Sequence, residues 1–207
     1  MGDPDDATYR KNVRNMSLVL AAIVLTIFVA LFVPPLIFPP QEQFLTEASV
    51  NSPYGFTLSV ELNSTSAAVG EMVNISAAIS STSNQVLNIS SSRSWGVNQS
   101  NLVTRPCTPG WPLGVGVMRG YYDEDNYSLG TLVPIETPVT SCPLPGNSPG
   151  YFLLQSHGSM AIVNIRGSLA EWNLGFSVVF PAGSSGVYTA VVADEWGDLV
   201  LTHFRVG

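Results

Sequence analysis

Residues 172–206 read WNLGFSVVFPAGSSGVYTAVVADEWGDLVLTHFRV, and their patterning sets the fold class. Trp172, Leu174, Phe176, Val178 and Phe180 alternate with smaller or polar residues. That is the period of two expected when successive side chains point to opposite faces of a strand. Gly183-Ser184-Ser185-Gly186 then turns the chain into Val187–Ala193, and Asp194–Asp198 turns it again into Leu199–Val206. Short runs separated by Gly-, Ser- and Asp-rich turns, with no helical period, predict an all-β antiparallel sandwich.

The same pattern occurs upstream. Phe56, Leu58, Val60 and Leu62 alternate with Thr57, Ser59, Glu61 and Asn63. Val69-Gly70-Glu71 predicts a turn, and Val73, Ile75, Ala77 and Ile79 then alternate with Met72, Asn74, Ser76 and Ala78. Gln85–Ser91 reads as a third strand. Tyr151–Gln155 and Met160–Ile165 are shorter candidates. Between these two groups, about 92–150, the chain is rich in Pro and Gly and offers only short apolar runs near 113–118 and 129–135. This part is expected to be a long insertion carrying one or two short strands, and a natural place for a binding surface.

The last hairpin carries a resemblance. Gly186-Val187-Tyr188-Thr189-Ala190, then Asp194-x-x-Gly197, then Phe204-x-Val206, looks like the closing hairpin of immunoglobulin-like domains. Tyr188 matches the tyrosine-corner position, whose hydroxyl bonds back to upstream backbone. Ala190 stands where antibody domains carry their second cysteine, so the antibody-type disulfide is absent. The first strand pair is similar to prokaryotic adhesion-type immunoglobulin-like modules. The resemblance spans about residues 54–91 and 165–207. It implies an immunoglobulin-like β-sandwich in a prokaryotic, in particular archaeal, membrane-anchored protein, and it implies a fold without implying a function.

The membrane expectation comes from residues 16–40, MSLVLAAIVLTIFVALFVPPLIFPP, which carry no charge. About 23 residues at about 1.5 Å each reach roughly 34 Å, against a hydrocarbon core of about 30 Å. The run exceeds the apolar region of a cleaved secretory signal, and Pro34, Pro35, Pro39 and Pro40 stand where a cleavage site should lie. Asn15-Met16-Ser17 offers no good match to a pilin-type processing site. An uncleaved transmembrane helix over 16–38 is therefore expected. Arg10, Lys11 and Arg14 precede it, whereas Glu42 and Glu47 follow, which places the N-terminus inside. The expected order is a cytoplasmic tail (1–15), the transmembrane helix, a polar linker (39–53) and an extracytoplasmic β domain (54–207).

Composition agrees with that placement. Charged residues are 11% of the chain, the net charge is −7, and the sole lysine is Lys11. A neutral-polar, mildly acidic surface argues against nucleic acid as a partner. Asn63, Asn74, Asn88, Asn98 and Asn126 each head an N-x-Ser/Thr sequon beyond the span, which makes them candidate glycosylation sites. On the first three strands the sequon asparagine falls on the polar face. Cys107 and Cys142, the only cysteines, are expected to form one disulfide in an oxidising compartment.

Catalytic patterns are weak. Gly146-Asn147-Ser148-Pro149-Gly150 has the letters of a nucleophile elbow, but Pro149 lacks the N–H that an oxyanion donor requires. His157 and His203 are the only histidines, and no triad motif surrounds them. Cys142 lacks the following His and Met of a copper loop. The Asp123-Glu124-Asp125-Asn126 cluster lacks EF-hand spacing. No enzyme, no cofactor and no metal site is expected. Trp95, Trp111, Tyr121, Tyr122 and Trp196 lie in or beside expected loops and are candidate anchors for a protein or glycan partner. The expected role is a non-enzymatic cell-surface protein, structural, adhesive or recognising another molecule. An accessory subunit of a respiratory or transport membrane complex is the alternative, and a filament subunit comes after it.

Overall fold

The computed structural model of the protein describes residues 16, 19–28, 44–95, 97, 102–135, 148–165 and 167–207. The chain divides into two units, Met1–Glu42 and Gln43–Gly207. In the first, residues 19–28 are helical. Thr26 Oγ1 donates to the Ala22 backbone oxygen at 2.8 Å, so the hydroxyl is satisfied within the helix itself. Among the described residues no helix is long and apolar enough to cross a membrane. Most of the remainder of the expected 16–38 span, and all of the 1–15 tail, lie outside the described residues.

The second unit is built of strands. In chain order they are β1 (Glu47–Asn51), β2 (Phe56–Leu62), β3 (Ser66–Ala67), β4 (Met72–Ser81) and β5 (Leu87–Ser90). Next come β6 (Leu113–Arg119), β7 (Leu132–Val133), β8 (Tyr151–Leu154), β9 (Met160–Ile165) and β10 (Ser168–Asn173). The last are β11 (Gly175–Pro181), β12 (Gly186–Asp194) and β13 (Leu199–Val206). They form three sheets with strand orders β1-β2-β4-β11, β3-β13-β12-β6-β7 and β10-β9-β8-β5. Every pairing is antiparallel except β3 with β13, which is parallel.

One core joins the three sheets. It takes Phe56, Leu58, Val60 and Leu62 from β2 and Val73, Ile75, Ala77 and Ile79 from β4. Val115 and Val117 of β6, Ala190 and Val192 of β12, Phe204 of β13, and Phe152 and Val163 from the third sheet belong to the same cluster. These are the residues that period two assigns to one face. Burying each large one contributes about 1.5–3 kcal/mol before the ordering entropy is subtracted. Asn63, Asn74 and Asn88 point away from this core, and all three retain solvent exposure, as the alternation required.

Three expectations change. The linker expected over 39–53 gives way at Glu47 to a strand, because Ala48 and Val50 pack against the core while β1 pairs along β2. The insertion expected at about 92–150 carries two strands, β6 and β7, at the two apolar runs expected to form them. It is not only an excursion, because β6 lies inside a sheet, between β12 and β7. Residues Leu113–Met118 of β6 are buried on both faces, so Leu113, Val115 and Val117 alternate with glycines instead of polar residues. A Cβ added at Gly116 would lie 2.5 Å from Leu132 Cδ2, and one at Gly114 2.8 Å from Leu102 Cβ. The glycines admit the covering side chains. Lastly, the single alternation over 172–180 divides at Leu174. Trp172 pairs into the third sheet on β10, whereas Phe176 pairs into the first on β11.

Candidate recognition loop

After β6 the chain leaves the sheet at Gly120 with φ of 125°, a conformation that favours glycine. The Gly120 N–H donates to the Val187 oxygen at 2.8 Å, and its own carbonyl accepts the Thr189 hydroxyl at 2.8 Å. The same hydroxyl accepts the Tyr122 N–H at 3.0 Å. One step further, His203 Nε2 lies 2.7 Å from the Tyr122 carbonyl, which fixes that nitrogen as the N–H donor of a neutral ring or an imidazolium. The His203 ring stacks on Tyr121 with centroids 4.0 Å apart and planes 11° off parallel. Two polar side chains on the outer face of β12 and β13 thus strap the loop to the sheet. Both Thr189 and His203 are buried by it.

The loop then closes on itself. Asp123 Oδ1 accepts the N–H groups of Asp125 (3.1 Å) and Asn126 (3.2 Å), and Asn126 Oδ1 accepts the Asp123 N–H at 2.9 Å. A single 3-10 turn, Tyr127–Leu129, follows. Asp123, Glu124 and Asp125 are exposed, and Tyr121 and Tyr122 are half-buried. The outcome is a pre-ordered acidic and aromatic ridge. Preorder lowers the entropy lost on binding, and tyrosine offers contact area with few rotamers to freeze.

The other aromatic candidates are elsewhere. Trp95 is half-buried, with its ring near Gly114. Trp111 is 2% exposed and packs on Trp172 and Phe176 within the core. Trp196, expected at a hairpin tip, is 7% exposed and lies edge-on to Phe56 and Phe152. Trp111 and Trp196 are therefore corrected from partner anchors to core residues. Each lies in a loop by sequence, but strands distant along the chain close over it. Tyr121 and Tyr122 are the pair the fold brings together at a surface.

Cys107 is disulfide-bonded and has φ of 60°. Cys142, its expected partner, lies outside the described residues, as does Asn98. Asn63 and Asn88 are exposed, and Asn74 and Asn126 are half-buried. His157 Nε2 meets Asn84 Oδ1 at the surface. No group of three or more potential metal-ligating side chains occurs among the described residues.

Sequence reasoning did not single out the acids of the β12–β13 turn as a site. Asp194 and Glu195 are both buried. Burial pushes the Asp194 carboxyl up to about 7, and the neighbouring Asp198 charge adds to the shift. Burial also raises Glu195, against the opposing pull of the Ser91 hydroxyl and the Arg93 charge. The only signal in the sequence is an acid at each end of a tight turn that also contains tryptophan. The chain matches no protein-family model, no curated protein and no solved structure.

Proposed function

We propose that the protein is a non-enzymatic, single-pass membrane-anchored cell-surface protein that recognises a partner through an immunoglobulin-like domain. The observation that carries the reading is the loop over 120–129, held rigid by Thr189 and His203 and presenting tyrosines beside three exposed acids. Such a ridge complements a basic protein surface, for which charge steers the encounter and the rings supply the contact area. A glycan on Asn126 would stand on the same ridge and compete with that partner.

Two features support the immunoglobulin-like reading. The orders β2-β4-β11 and β13-β12-β6 correspond to the A-B-E and G-F-C neighbours of such domains. The Tyr188 hydroxyl donates to the Ser184 oxygen at 2.8 Å, the bond of a tyrosine corner. The four-stranded sheet β10-β9-β8-β5 is an addition to that plan. The uncharged 16–40 stretch and its basic N-terminal flank support the anchor.

The test is cross-linking of the full-length protein in its native membrane, followed by mass spectrometry. A stoichiometric partner lost on Tyr121→Ser/Tyr122→Ser substitution, and weakened by salt, supports the reading. A partner set unchanged by that substitution removes the loop from it. Integral membrane enzymes or transport proteins among the captured partners would favour the accessory-subunit alternative.

A further inference from the structure

The turn Asp194-Glu195-Trp196-Gly197-Asp198 closes β12 onto β13 with an acid at each end. Asp194 is fully buried. Its Oδ1 accepts the backbone N–H of Trp196 at 2.9 Å and of Asp198 at 3.0 Å, which closes the turn. The nearby Gly197 N–H also favours the charged carboxyl. Oδ2 is shielded from solvent and meets no donor at hydrogen-bonding geometry among the described residues. The Oδ2 of Asp198 is in the same condition. The two carboxylates are close enough for the Asp198 charge to act on Asp194, and no basic side chain is among the groups acting on Asp194.

A turn needs only one carboxylate oxygen to anchor it. Two further oxygens, enclosed and unbonded, each forfeit about 1–3 kcal/mol, and more when charged. Buried charge is tolerated when an opposite charge is brought to it. We propose that Asp194 and Asp198 bind a calcium ion through their free oxygens, with peptide carbonyls and water completing an oxygen shell. Calcium is the choice among cations because the donors are hard oxygens and it accepts irregular geometry, which magnesium does not. Zinc and copper favour the nitrogen and sulfur donors that this turn lacks. Two carboxylates place the site in the weak class of extracellular modules, with Kd of about 10⁻⁴–10⁻³ M.

The location gives such an ion a purpose. Glu195 N–H donates to the Pro112 oxygen (3.0 Å), Ser94 N–H to the Glu195 oxygen (2.6 Å), and the Trp196 indole to the Ser90 oxygen (2.6 Å). The turn is where β5, the approach to β6 and the β12–β13 hairpin are fastened together. Calcium there stabilises the assembly of the sheets, independently of the recognition loop.

The experiment uses the full-length protein in detergent, stripped with EDTA and then titrated with calcium or terbium. Terbium luminescence sensitised by the indole of Trp196, displacement of that signal by calcium, and a calcium-dependent rise in Tm are the expected results. Asp198→Asn, at a half-buried position, is expected to fold and to lose about tenfold or more in calcium affinity. Asp123→Asn/Asp125→Asn, in the exposed loop, is expected to keep the indole-sensitised signal. The proposal is overturned by a Tm unmoved at about 10 mM calcium, well above the expected Kd. An equal calcium response in Asp198→Asn and the parent also overturns it. So does a Tm that rises on acidification but ignores calcium, since a proton would then neutralise the pair.

Discussion

The indole N–H of Trp196 donates to the backbone oxygen of Ser90 across 2.6 Å, joining the β12–β13 turn to β5. The two residues are 106 positions apart in the chain. Trp196→Phe retains an aromatic ring against Phe56 and Phe152 but leaves the Ser90 carbonyl without its donor. The expected loss is about 1–3 kcal/mol of unfolding free energy. Trp196→Ala, which also opens a cavity, should cost about 3–5 kcal/mol. Urea denaturation of both variants checks this, and a loss below about 0.5 kcal/mol, typical of open surface sites, would mean that the ring is not a core element.

The Tyr188 corner makes a smaller prediction. Its hydroxyl bonds the Ser184 oxygen and also lies 2.7 Å from the Ser184 hydroxyl, while its ring stacks on Phe204. Tyr188→Phe keeps the ring and removes the hydroxyl. A loss of about 0.5–1.5 kcal/mol at an unchanged m-value is the expected outcome.

Gly116 tests the burial of β6 on both faces. An alanine Cβ there meets Leu132 Cδ2 at 2.5 Å and Leu102 Cδ2 at 3.1 Å. Overpacking should destabilise the domain by about 1–3 kcal/mol, softened because both neighbours are flexible side-chain ends. Restored stability in the double variant Gly116→Ala/Leu132→Ala would identify Leu132 as the obstructing neighbour.

Asp194 predicts a pH dependence in calcium-free buffer with EDTA. Its carboxyl titrates near 7 when folded, against 3.8 as the unperturbed value. The folded state therefore holds the proton more tightly, so stability rises as pH falls from above 7 toward 4. It is lost again as pH rises through 7. The ceiling is about 4 kcal/mol, at about 1.36 kcal/mol for each pH unit between the two values. Asp194→Asn should flatten the dependence between pH 8 and 5. An equally steep curve in that variant would assign the effect to another group, Glu195 first.

Thr189→Val removes the hydroxyl that both Gly120 and Tyr122 use, at nearly constant volume. Amide exchange at Tyr122 should quicken by about tenfold, as expected for losing about 1.4 kcal/mol of local protection. Strands β12 and β13 should stay protected. Unchanged exchange at Tyr122 would show that His203 holds the loop alone.

The strands were readable wherever one face is buried and the other wet. β2 and β4 follow their alternation residue by residue, and Asn63, Asn74 and Asn88 fall on the wet face as the pattern required. β6 was legible only as a short apolar run, because a strand covered on both sides carries no polar residues to mark a wet face, and its alternating glycines give no such signal. In the loop over 120–129, Tyr121, Tyr122 and the acids could be picked out by residue type. The straps from Thr189 and His203 could not, since those residues lie on strands far along the chain.

The sequence by itself determined the β class, the positions of the main turns, and which side of each half-buried strand faces water. These are local properties of a backbone with a side-chain period of two. The tertiary structure alone decided that β5 leaves β4 to pair with β8, that one alternating run divides between two sheets at Leu174, and that Trp111 and Trp196 are core residues. It also placed two acids of one turn out of water. Burial is set by whichever segments pack over a residue, and here they come from about a hundred positions away, beyond the reach of any local pattern.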